Sequence, residues 1–214
     1  MENLRFYVIY ITILATIVGL FYYNKLPNKK AKSLLVLIFL SFLAEFVGKF
    51  FYPWFGVKNY IVFNLYWLIT FNGYVLLLSA LLKKIINKRI SNCFLLLINI
   101  FFIVNMIYLE DIFTQVLSYF FALGAVFTLI LSSLYFVEII NSSKVLHYKK
   151  SIYFWFILGV LLFYIPFLPF MLASKMFLFN DLGAMFSVVL FVLNLLMYGS
   201  FIVGFIWSQK KYNY

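Results

Sequence analysis

Seven apolar segments, separated by short connections that carry the charge clusters, dominate this sequence. They lie at about 6–23, 33–52, 60–82, 91–109, 113–137, 152–172 and 182–207. A helix needs about 20 apolar residues to cross a ~30 Å hydrocarbon core, so each run is long enough to span, the fifth and seventh with tilt. In lipid every backbone N–H and C=O has to be satisfied within its own segment or in a closed barrel. Barrel strands alternate apolar and polar residues, which these runs do not. The expected fold is therefore all-α: a single domain over 1–214 built as a bundle of seven transmembrane helices. Hydrophobic residues make up 66% of the 214 and charged residues 11%, about half the charged share of a soluble domain. That balance excludes a soluble globular enzyme, a disordered chain and a secreted disulfide scaffold.

Basic residues set the orientation. The first connection carries Lys25, Lys29, Lys30 and Lys32, the third Lys83, Lys84, Lys88 and Arg89, the fifth Lys144, Lys149 and Lys150, and the tail Lys210 and Lys211. The opposite side carries Arg5, Lys49, Lys58 and Lys175, together with the acids Glu2, Glu110, Asp111 and Asp181. Because cytoplasmic loops concentrate Lys and Arg, the odd connections and the C-terminus are expected in the cytoplasm and the N-terminus outside. The positive cluster follows the first run instead of preceding it and no small-x-small cleavage site is evident, so this run is read as a retained helix. The net charge of +11 is met by that bias and by anionic lipid. Nucleic acid is not an expected partner, since the basic residues are dispersed over short loops. The expected location is the cytoplasmic (inner) cell membrane, multi-pass. The lone Cys93, in an apolar run, reads as a buried, inert thiol.

Catalytic chemistry is excluded mostly by missing residues. His147 is the single histidine and lies among lysines, so neither a three-histidine zinc site nor a serine–histidine intramembrane protease can be assembled. There is no glycine-rich phosphate loop and no paired acidic motif for a divalent metal. A retinal Schiff base would need a lysine between Asp181 and Trp207, and there is none. No enzyme, cofactor or metal is expected.

Ionisable groups inside a span cost about 2.5–3.5 kcal/mol at the helix centre. Glu45 is one such group, two turns in from the outer end of the second run, with Lys49 at i+4 on the same face. These residues fit either a local ion pair or an acid available to a ligand. Asn64, Asn105, Gln115, Ser118, Asn180 and Asp181 fall at similar depth, and Pro166 with Pro169 is expected to break the outer half of the sixth helix and free backbone carbonyls. Together they outline a candidate ligand-binding chamber open to the extracytoplasmic side. Deeper in, Asn72, Asn99 and Asn194 are expected to hydrogen-bond between helices.

Three stretches, Ala44-Glu45-Phe46-Val47-Gly48, Asn64-Leu65-Tyr66 and Phe154-Trp155-Phe156-Ile157-Leu158-Gly159, resemble small bacterial seven-helix integral membrane proteins of uncharacterised activity. The resemblance implies no activity; it implies that Glu45 and Asn64 belong to one site. The leading expectation is a receptor-like or accessory signalling subunit that takes a small ligand or a partner helix in the outer chamber. Its output would pass to a separate membrane signalling protein. A small solute or ion carrier is the alternative, although the cytoplasmic half offers no matching polar path. A membrane-disrupting effector is the third class.

Overall fold

The computed structural model describes residues 7–26, 28–176 and 182–213. Among them seven α-helices follow in chain order: α1 (Val8–Phe21), α2 (Lys29–Phe55), α3 (Tyr60–Leu81), α4 (Ile85–Val104), α5 (Ser118–Ile140), α6 (Ile152–Met176) and α7 (Leu182–Trp207). Six of them (α4 together with the turn that follows it to Leu109) give apolar helical spans of 21 to 27 residues, long enough to cross a bilayer. The chain is a multi-pass membrane protein. The seventh, α1, has 14 residues, about 21 Å at 1.5 Å per residue, shorter than the expected 6–23. A 3₁₀ turn at Tyr23–Lys25 closes it. There the Lys25 ammonium donates to the Ile206 carbonyl at 3.0 Å, in the last turn of α7, where carbonyls lack intrahelical partners.

Other boundaries move for identifiable reasons. α2 and α4 begin at Lys29 and Ile85, earlier than the expected 33 and 91, because lysine and arginine favour helix and extend their charged ends away from lipid. α5 begins at Ser118 instead of 113. Asp111 folds the intervening residues into a turn, accepting from the Phe113 N–H (2.9 Å) and the Thr114 hydroxyl (3.0 Å). α4 runs into a π-helical turn at Asn105–Leu109. α6 passes unbroken through Pro166 and Pro169, contrary to the expected break. Buried Phe163, Tyr164, Phe167 and Met171 anchor the helix on both sides of the prolines. Cys93 is exposed on α4, not buried.

The chain divides into two compact units. Unit 1 comprises residues 1–42 and 144–214, and unit 2 residues 43–143, so α2 contributes to both. In unit 1, α7 packs on α6 and on α1. Small residues allow close approach: a Cβ on Gly159 would meet the Met197 carbonyl oxygen at 2.7 Å, and one on Gly204 would meet Trp155 at 2.8 Å. Residue 155 lies beside 204 and 159 beside 197 and 201, so α6 and α7 run antiparallel. The Phe156 and Phe201 rings stack across that seam at 4.6 Å.

In unit 2, α3 packs against α4 and α5 around an aromatic core. The fully buried Phe71 meets Phe120 (5.9 Å) and Phe121 (5.6 Å), and Trp67 lies 4.6 Å from Phe121. Asn72 and Asn99 exchange amide hydrogen bonds of 2.8 and 3.4 Å between α3 and α4, as expected. Asn194 instead donates to Leu190 O of its own helix at 2.8 Å. Glu138, half-buried near the end of α5, accepts from the Lys83 N–H, the Lys84 N–H (3.1 Å) and the Asn87 amide (2.7 Å). Its carboxylate caps the start of α4, where backbone N–H groups are orphaned and a negative charge is favoured. Glu138→Ala is expected to cost about 1–2 kcal/mol, read as a lowered Tm in detergent; Glu138→Gln, which keeps an acceptor, should lose less.

Candidate functional site

The polar side chains of unit 2 gather where the start of α3, the end of α4 and the start of α5 meet. Asn64, one turn into α3, has no exposed surface. Its amide donates to the Ile112 carbonyl (3.0 Å) and the Gln115 carbonyl (2.9 Å), and its oxygen accepts from the Leu117 N–H (3.0 Å). Both amide protons and the acceptor are thereby committed to the backbone of the α4–α5 connection. That backbone is not helical at 111–117 and has no ladder of its own, so a side chain has to satisfy it.

A second cluster adjoins the same connection. Asn105 opens the π turn and is completely buried. Its amide donates to the Glu110 carboxylate at 3.0 Å, and the Glu110 N–H returns a bond to the Asn105 carbonyl at 2.9 Å. The same carboxylate oxygen accepts from the Tyr119 N–H at 3.2 Å. Glu110 is only 3% exposed. A buried carboxylate demands compensation, and the Asn105 amide and the Tyr119 N–H contribute to it here. Tyr119 is the second residue of α5, so the helix dipole adds to that compensation. The Asn105 Oδ1, also buried, has no hydrogen-bond partner among the described residues.

The other candidates fall as follows. Gln115 lies in the connection, not in α5; its side chain is exposed and its carbonyl holds Asn64. Ser118 is the first residue of α5, buried, with its hydroxyl on the Val116 carbonyl at 3.2 Å. Glu45 is half-buried and Lys49 exposed on α2, the Lys49 ammonium 5.9 Å from the Phe50 ring centroid. Three residues past Glu45, Gly48 seats against the Phe63 ring, where a Cβ would stand at 2.8 Å, and its carbonyl accepts from Asn59 at 2.7 Å. That contact brings α2 to the residue preceding Asn64. Pro166 belongs to α6 in unit 1. Asn180 and Asp181 lie outside the described residues.

The structure thus joins Asn64 and Gln115 directly, and places Asn105 and Ser118 on the same connection. Sequence reasoning missed Glu110 as a site residue and counted it only among the acids of the extracytoplasmic side. The only signal was its position five residues after Asn105, and that spacing acquires meaning only through the π turn. Compared with family models, with curated proteins and with solved structures, the chain matches none.

Proposed function

We propose that the protein is a receptor-like or accessory signalling subunit of the membrane, without catalytic chemistry of its own. Its binding region is the polar end of unit 2, which takes a small donor-bearing ligand or a partner helix. The observation that carries this reading is the Asn105 Oδ1. It is a buried acceptor with no described partner, on the same amide that holds the Glu110 carboxylate. Such an acceptor costs about 1–3 kcal/mol while unmet, and a hydrogen-bond donor from outside would recover it.

Asn105 has no exposed surface, so a ligand reaches it only when this end of unit 2 opens, and the π turn joins α4 to the connection clamped by Asn64. Binding is thereby coupled to the positions of α4 and α5, which is what a relay to a second membrane protein needs. Glu45 lies half-buried on the α2 segment that reaches Phe63, and it adds a carboxylate that a cationic ligand would engage. A carrier reading would also need a polar route through the far half of the helices. Proteoliposomes holding the purified protein should keep pH and potassium gradients as long as empty vesicles do. A gradient that collapses, and is restored by Glu45→Gln, would establish a carrier and end the receptor reading.

A further inference from the structure

Three segments of unit 1 that are distant in the chain are bonded together at one end of it. Asn28, just before α2, donates to the Asn213 carbonyl at 3.1 Å and accepts from the Tyr153 hydroxyl at 2.9 Å. The Asn213 Oδ1 accepts from the Ile152 N–H at 2.8 Å, and the Gln209 N–H donates to the Lys150 carbonyl at 3.0 Å. Asn213 has no exposed surface. The C-terminal tail is therefore latched to the first connection and to the start of α6.

The latch assembles a basic cluster around one ring. The Tyr212 centroid lies 4.8 Å from the His147 ring, 5.5 Å from the Lys150 ammonium and 5.7 Å from that of Lys211. Among its described residues unit 1 contains no Asp or Glu, while lysines occur in all three latched segments. No described carboxylate of the unit neutralises them, and like charges held together repel.

The depth of the cluster follows from the apolar surface beside it. α7 ends in Ile206 and Trp207, 49% and 63% exposed, and Tyr212 follows five residues later. Exposed Leu146 adjoins His147 in the fifth connection. Tryptophan and tyrosine at the end of an apolar span mark the headgroup layer.

We propose that Lys150, Lys211, His147 and Tyr212 form a binding site for the phosphate of an anionic lipid headgroup. The ammoniums act as point charges on the phosphate oxygens, and the tyrosine hydroxyl and the imidazole supply directional hydrogen bonds. This site lies in unit 1 and stands independently of the receptor reading, which rests on unit 2.

The test is the affinity of the full-length protein for phosphatidylglycerol in phosphatidylcholine nanodiscs, read by lipid retention and by thermal stabilisation. Lys150→Gln with Lys211→Gln is expected to weaken binding about fivefold per lysine removed, and Lys150→Arg with Lys211→Arg to preserve it. Lys83→Gln with Lys84→Gln, equally charged, exposed and in unit 2, should cost no more than about twofold, as expected for screened surface charge. Should the glutamine pair fail to fold, Lys211→Gln alone, at an exposed position, reads the same effect. Equal losses from both lysine pairs would reduce the cluster to diffuse surface attraction and overturn the proposal. So would inorganic phosphate stabilising the protein in phosphatidylcholine alone as well as phosphatidylglycerol does.

Discussion

Replacing Asn64 by leucine is expected to destabilise unit 2 by about 3 kcal/mol. The average hydrogen bond between membrane helices is worth only about 0.6 kcal/mol, because the unfolded segment finds other partners. Three such bonds would total about 2 kcal/mol on that average. The larger figure follows from the nature of Asn64's partners. The Ile112 and Gln115 carbonyls and the Leu117 N–H belong to a non-helical connection, and Leu117 has no exposed surface. Once the amide is gone they have no intrahelical alternative, and each buried orphan costs about 1–3 kcal/mol. Leucine has the same number of heavy atoms branched at the same carbon, so no cavity is left to confuse the result. Equilibrium unfolding in mixed micelles measures the loss. A change below about 1 kcal/mol would mean that solvent or headgroups already reach the connection.

Valine at position 159 is the second large expected effect, a loss of about 2–3 kcal/mol in unit 1. A Cβ there would stand 2.7 Å from the Met197 carbonyl oxygen and 2.7 Å from the Phe201 ring. The ring could turn, although it is held against Phe156 and Tyr198. The carbonyl is backbone of α7 and can retreat only if the two helices separate. In lipid, helix pairs are held by close van der Waals contact instead of hydrophobic exclusion, so separation forfeits the main attraction. Gly199→Val is the matched control, since a Cβ there meets nothing within 4 Å. Both variants can be ranked by Tm in one detergent, and an equal loss from the two would show that glycine content matters and the seam does not.

How far the sequence foretold the fold depends on which physical term set each feature. Runs of apolar residues specify helices in lipid unambiguously, and α3 and α6 start where hydropathy places them, at Tyr60 and Ile152. The start of α5 was illegible because Asp111 and Asn64 decide it by bonding the backbone ahead of it. No local pattern encodes those bonds. Pro166 and Pro169 carry a strong local signal for a break, and the buried aromatic residues beside them override it.

The candidate site was legible in its residue types and less so in its geometry. Asn64, Asn105, Gln115 and Ser118 were flagged by polarity at similar depth, and all four lie on or against the α4–α5 connection. Their partners are mostly backbone atoms, which sequence does not distinguish. Glu110 looked like one of two adjacent loop acids, yet Asp111 is exposed while Glu110 is buried. Glu138 escaped notice because its role depends on α4 beginning at Ile85, next to Lys83 and Lys84. The latch in unit 1 was equally hidden, since Asn28 and Asn213 lie 185 residues apart.

The proposed function requires that the Asn64–Glu110 end of unit 2 face outward while the lysine-rich connections face the cytoplasm. Site-specific labelling tests this most directly, with Cys93→Ser as background. Gln115 and Lys210 are both exposed, so each can be replaced by cysteine without disturbing a buried contact. In intact cells a membrane-impermeant maleimide should label Gln115→Cys at once, and Lys210→Cys only after permeabilisation. The reverse pattern, or labelling of both from one side, would contradict the account.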